Sequence, residues 1–79
     1  MLGRSPATGD NPLMDIRLNG ATFALPAGST IADLLVAQGL ADRRVAVEVN
    51  GGIVPRSHHS EHQLAEGDII EIVQALGGG

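Results

Sequence analysis

The chain has 79 residues, a net charge of −4 and no cysteine. That length sets a single domain with a thin core and no cleft walled by two domains, which points away from a self-sufficient enzyme and toward a module that works on a partner. The missing cysteine excludes disulfides, thiolate metal sites and cysteine nucleophiles.

Other exclusions follow from composition. Phe23 is the single aromatic residue, so the core must be aliphatic. An acidic chain without stacking aromatics is a poor nucleic-acid binder. No apolar run approaches the roughly 20 residues that span a bilayer, and no charged segment followed by an apolar stretch marks a signal peptide. The expected setting is cytoplasmic, with neither nucleic acid nor membrane as partner. All five basic residues are arginines, so the domain offers no lysine amine for acylation.

Residues 1–13 are rich in Gly, Pro, Ser, Thr, Asp and Asn without periodicity. They read as a disordered N-terminal extension, and the folded domain is expected over residues 14–76. Met14, Ile16 and Leu18 alternate with Asp15 and Arg17, the period of a half-buried strand. Asn19-Gly20 then supplies a two-residue hairpin turn, since both central positions of a type I′ turn need positive φ. The return strand, residues 21–25, puts Phe23 and Leu25 on one face and stops at Pro26, which has no N–H for a ladder.

A helix of about three turns is expected over IADLLVAQGL. Thr30 is its N-cap, Asp33 completes a capping box, and Gly39 takes the left-handed position that ends it. Ile31, Leu34 and Leu35 form its apolar face. A second alternating run follows, with Val45, Val47 and Val49 on one side. Asn50-Gly51-Gly52 turns the chain into a short strand, Ile53-Val54, ended by Pro55. The stretch from Arg56 to Gln63 is polar and irregular, with Leu64 as the next core anchor. After the Glu66-Gly67-Asp68 turn comes the last strand, with Ile70 and Ile72 inward and Ile69, Glu71 and Val73 outward. The order is β-β-α-β-β-β. One helix cannot cover both faces of a sheet, so the expected fold is α+β: a mixed sheet of four to five strands wrapped on one main helix, with one face left open.

Gly77, Gly78 and Gly79 follow that strand without a linker. A terminal glycine run is by itself only a permissive end, and residues 77–79 are expected to be a flexible tail. Lacking Cβ atoms, however, these residues could thread a narrow partner tunnel, extending about 10 Å. If the chain ends at Gly79, its last group is a carboxylate. Adenylylation would give that carboxylate a leaving group, and a sulfide equivalent could then convert it to a thiocarboxylate.

The stretch VAVEVNGGIVPRS followed by L-x-x-GD-IIEIVQALGGG resembles the ThiS family, the sulfur carriers of thiamin (thiazole) biosynthesis within the ubiquitin-like β-grasp superfamily. The likeness covers residues 14–79. It implies a β-grasp fold and a protein co-substrate rather than an enzyme, with Gly79 as the adenylate and thiocarboxylate position and Gly78 as its functional neighbour. It also implies three partners: an E1-like adenylating enzyme that uses ATP and Mg, a cysteine desulfurase or rhodanese-type sulfur donor, and thiazole synthase. That synthase would combine the sulfur with a deoxyxylulose phosphate and a glycine-derived imine. The carrier itself would bind no cofactor. Relatives that serve molybdopterin synthesis usually have prolines before the final Gly-Gly, whereas Gln74-Ala75-Leu76 stands here. Supply to molybdopterin or another pathway, and a ubiquitin-like interaction module whose tail is never activated, stay open as alternatives. Family members often carry tryptophan where His59 stands.

Other residues are candidate sites. Outward Ile69 and Val73, with Leu76 and Arg56, are candidates for partner docking. Arg43, Arg44 and Arg56 could meet a phosphate or an acidic partner, although exposed arginines are the norm. His58 and His62 have helical i, i+4 spacing, but no third ligand is evident and no metal site is expected. The three histidines read as surface residues of a loop.

Overall fold

A computed structural model describes residues 12–74 of the chain. The expectations for residues 1–11 and 75–79, the glycine tail and Leu76 among them, lie outside the described residues. The elements are β1 (Leu13–Leu18), β2 (Ala21–Pro26), α1 (Ile31–Ala37), β3 (Val45–Val49), β4 (Gly52–Val54), a 3-10 turn (Arg56–His58) and β5 (Ile69–Gln74). They form a five-stranded mixed sheet in the order β2-β1-β5-β3-β4, with α1 packed on one face. This is the expected α+β arrangement. The first strand begins at Leu13, one residue earlier than the alternation suggested, because Leu13 still pairs with Pro26 across the hairpin.

Both Asn-Gly pairs turn as expected. Asn19 and Gly20 have φ of 50° and 87°, and Asn50 and Gly51 have 53° and 90°. Each is the positive-φ pair of a primed turn, whose twist matches that of the strands it joins. The first turn sets the β1–β2 register, which pairs Ile16 with Phe23 and Met14 with Leu25. Met14, Ile16, Leu18 and Leu25 thereby reach the core, while Phe23 is half-buried against it.

The helix is shorter than expected: seven residues, about two turns rather than three. The caps at Thr30 and Gln38 and the residues beyond Gln38 lie outside the helix proper, although the apolar pattern runs on to Leu40. Thr30 is the N-cap, with its Oγ1 accepting from Asp33 N at 3.1 Å and Asp33 Oδ2 accepting from Thr30 N at 2.9 Å. Gln38 is the C-cap and Gly39 follows at φ 74°. Gly39 N–H donates to Val36 O and Leu40 N–H to Leu35 O, the paired bonds of a Schellman ending. The first turn of the helix also borrows acceptors from a remote segment. Ile31 N–H donates to His62 O and Ala32 N–H to His59 O, which satisfies two of the donors that a helix start leaves without intrahelical partners.

Ile31, Leu34, Val47 and Ile70 are fully buried where the helix meets the sheet. Leu64 anchors the long connection into this core, as expected. Among the described residues no helix is long and apolar enough to cross a membrane.

Candidate functional site

The strand that leads to the glycine tail is the middle one. β5 lies between β1, which it pairs in parallel, and β3, which it pairs antiparallel through all five residues of β3. Gln74, its last residue, lies opposite Val45. Whatever follows Gln74 is therefore attached to the best-held strand of the sheet.

Two side chains that the sequence offered only as turn formers reinforce that strand. β1 runs out at Leu18, so β5 would lose its partner on that side beyond Ile70. Asn19 takes over. Its backbone N–H donates to Ile70 O at 2.9 Å, its Oδ1 accepts from Ile72 N at 2.8 Å, and its Nδ2 donates to Ile72 O at 3.4 Å. The side-chain amide thus imitates the next residue of a strand. Asn50 does the corresponding work where β5 begins. Its Oδ1 accepts from Ile69 N at 2.9 Å, its Nδ2 donates to Asp68 Oδ1 at 3.0 Å, and its backbone N–H donates to Ile69 O at 2.7 Å. No local signal reveals these contacts, since Asn19 and Ile72 are 53 residues apart.

Replacing Asn19 separates its two duties. Asn19→Gly keeps a residue at ease with positive φ and removes both side-chain bonds to Ile72. It is expected to cost about 1–3 kcal/mol, at roughly 0.5–1.5 kcal/mol per bond. Asn19→Ala should cost more, because a left-handed alanine adds strain of roughly 1–2 kcal/mol. Urea denaturation of the two variants checks the order. Equal losses would show that the bonding to Ile72, not strain in the turn, decides the effect.

The open face of the sheet carries the candidate docking residues. Ile69 and Val73 project from β5 at 51% and 62% exposure, with Glu71 between them on the same side. The register places Val73 across from Ala46, Glu71 across from Glu48, and Glu48 in turn across from the exposed Ile53. Two carboxylates facing each other across strands are mildly unfavourable, and aliphatic groups flank them. The face combines apolar surface with the Glu48–Glu71 pair, and Arg17 of β1 lies beside Ile69 at its other side.

Arg56 does not belong to that face. It stands in the 3-10 turn and lines a groove on the helix side, with Ala32, Leu35, Val36, Arg43 and Val45. The structure therefore separates Arg56 from Ile69 and Val73, with which the sequence reading had grouped it. The reason is the early end of β4 at Val54, after which Pro55 and the 3-10 turn carry the chain toward α1.

The histidines divide as well. His58 is exposed and His62 half-buried, but His59 is buried, contrary to the expectation of three surface residues. Its Nε2 lies 3.1 Å from Val54 O, its N–H donates to Arg56 O, and its carbonyl accepts from Ala32 at the helix start. It ties the 3-10 turn to both β4 and α1. His62 N–H donates to His58 O, so these two residues do bracket one turn. Among the described residues no group of three or more His, Cys, Asp or Glu is placed to hold a metal ion.

Comparison with known proteins decides the family. The model of the ThiS family matches residues 16–79. The chain belongs to the ThiS family. Over 66 residues it is 32% identical to the sulfur carrier protein ThiS of Escherichia coli, covering 84% of this chain and 100% of that protein. It is 42% identical over 50 residues to the sulfur carrier protein ThiS of Bacillus subtilis, covering 63% of this chain and 76% of that one. It is also 42% identical over 66 residues to a protein of Magnetococcus marinus named thiazole synthase, covering 84% of this chain; the chain spans only 20% of that protein's length. Among solved structures, the thiamine biosynthesis protein ThiS of Geobacter metallireducens superposes with a TM-score of 0.72 at 28% identity, covering 84% of this chain and all of that one. The β-grasp fold expected of a ThiS protein is the fold observed.

Proposed function

We propose that this chain is a sulfur carrier of thiamine biosynthesis that works through a carboxylate on Gly79. The observation that carries the reading is the placement of β5. The central, doubly paired strand leads within five residues to Gly79, so a rigid domain would present a thin, adaptable end to a partner's active site. Family membership and end-to-end similarity to a named sulfur carrier support it.

The chemistry balances without any side chain of this domain. An E1-like adenylating enzyme would use ATP and Mg to join the Gly79 carboxylate to AMP, releasing pyrophosphate. A persulfide on a cysteine desulfurase or rhodanese-type protein would then attack the acyl carbon and expel AMP, and a thiol would cleave the resulting acyl disulfide, becoming a disulfide itself and leaving the thiocarboxylate. The receiver in this reading is thiazole synthase. Its candidacy gains support from the Magnetococcus marinus protein of that name, one fifth of which is similar to this chain. The carrier is a co-substrate throughout and holds neither ATP nor metal.

Docking would use the open sheet face beside β5, with Ile69 and Val73 as apolar contacts and a basic partner group answering Glu48 and Glu71. Exposed positions tolerate substitution within about 0.5 kcal/mol of stability, so the fold should survive a change there. Ile69→Glu and Val73→Glu are each expected to slow adenylation by roughly 10-fold or more, as loss of a central interface contact worth about 1.4 kcal/mol or more would. The measurement is pyrophosphate release by the adenylating enzyme with ATP and Mg. Wild-type rates in both variants would remove this face from the docking surface. No pyrophosphate release from the wild-type chain would count against the carrier reading itself.

A further inference from the structure

The groove on the helix side has a volume of about 240 Å³, an aliphatic floor of Ala32, Leu35, Val36 and Val45, and Arg43 and Arg56 on its lining. Two arginines line it in a chain whose net charge is −4, whereas the opposite face of the sheet bears Asp15, Glu48 and Glu71 with Arg17 as its one arginine among the described strands. Two guanidinium groups on one lining attract a carboxylate that reaches the groove. His59, through Val54 O and Arg56 O, holds the turn on which Arg56 stands.

The chain beyond β5 starts beside this groove. Gln74 lies directly opposite Val45 on one side. On the other side the β3–β4 ladder pairs Val47 with Val54, and Arg56 follows two residues later. Strands are spaced about 4.8 Å apart, so the start of the tail is roughly 10 Å from Arg56. Residues 75–79 can span about 17 Å when extended, and three of them are glycines that allow a sharp reversal. Leu76 offers the apolar group that suits the floor, and Gly79 the anion that suits the rim.

We propose that in the free carrier residues 75–79 fold back into this groove, with Leu76 on the aliphatic floor and the Gly79 carboxylate between Arg43 and Arg56. The proposal rests on the reading of Gly79 as the carboxylate end. An exposed arginine–carboxylate contact is weak by itself, but a short tether gives the tail an effective concentration on the order of millimolar. Docking of this strength screens the acyl end from solvent in the free protein and yields readily to a partner that offers the tail a tighter channel. The groove and the open sheet face lie on opposite sides, so an enzyme seated on Ile69 and Val73 could draw the tail out without first displacing itself.

The test compares amide resonances of the full chain with those of a chain ending at Gln74, and with the full chain amidated at Gly79. Truncation is expected to shift the amides of Leu35, Val36, Arg43 and Ser60, all on the groove lining and remote in sequence from the cut. Amidation, which removes only the charge, should shift Arg43 and Ser60 in the same direction. In an Arg43→Gln, Arg56→Gln double variant, with α1 and β1 resonances showing an intact fold, truncation should add much smaller shifts. Changes confined to β5 and its immediate strand neighbours would overturn the proposal, as would groove shifts of equal size in the double variant. Sulfur loading of the full chain, read separately by mass, reports on the carrier reading. A chain that loads sulfur while its groove ignores truncation keeps the carrier function and loses the docked tail; the converse result loses the carrier function alone.

Discussion

Removing Gly78 and Gly79 is expected to abolish sulfur loading altogether while leaving the folded domain unchanged. The described core, from Met14 to Ile72, makes its contacts within residues 12–74. The truncated chain should therefore unfold at nearly the same urea concentration as the full one. What it loses is the acyl carbon itself, together with the slender end that reaches a partner's reaction centre. A milder change, Gly78→Val, keeps a carboxylate at Gly79 but adds a branched side chain and restricts φ and ψ beside it. A misplacement of about 1 Å at a reacting group can cost on the order of 100-fold in rate, so adenylation of this variant should fall by about that factor. Pyrophosphate release with ATP, Mg and the adenylating enzyme gives the rate for each chain. Full activity in the truncated chain would place the acyl group elsewhere.

The second large effect is on stability. Leu34→Ala removes a fully buried side chain at the contact between α1 and the sheet, and Ile70→Ala does the same on β5. Such truncations cost about 2–5 kcal/mol through lost burial and the cavity left behind. The 63 described residues, 12 to 74 inclusive, would at roughly 0.05–0.15 kcal/mol per residue give a total stability of about 3–9 kcal/mol. Either variant should accordingly unfold at a much lower urea concentration than the wild-type chain, since the cost is a large share of that total. Ile70→Val, which loses one methylene, should cost only about 0.5–1.5 kcal/mol and remain folded. Urea denaturation distinguishes the three. A folded Leu34→Ala chain with a wild-type midpoint would mean that α1 contributes little to holding the sheet.

Much of the fold was legible because its signals are local. Asn19-Gly20 and Asn50-Gly51 each announce a turn through the positive φ that both positions require, and each observed φ is positive. The alternation in Met14, Ile16 and Leu18, and in Ile70 and Ile72, marks strands with one buried face, and those residues are buried. Thr30, Asp33 and Gly39 marked the helix ends at the right residues. Its length was overread because a capped segment and a helix share the same apolar pattern until hydrogen bonds are assigned.

What stayed hidden depends on long-range register. The parallel pairing of β1 with β5 brings Asn19 to Ile72 and turns a hairpin residue into a clamp on the tail-bearing strand. The facing of Glu48 and Glu71 exists only once β3 and β5 are aligned. His59 looked like a surface residue because its neighbours are polar; the 3-10 turn that aims its ring at the Val54 carbonyl carries no sequence signature of comparable strength. Arg56 was displaced from the docking face for the same reason. The glycine residues were visible at once, since composition alone singles them out, and their chemistry followed from the carboxylate they would carry rather than from any geometry.

The most direct measurement is the intact mass of the chain after incubation with its adenylating enzyme, ATP, Mg and a sulfide source. Replacement of one carboxylate oxygen by sulfur, the product of acyl substitution, should add about 16 Da to the wild-type chain and nothing to the chain lacking Gly79. No gain in the wild-type chain, or a gain that survives the loss of Gly79, would contradict a carrier that works through its terminal glycine.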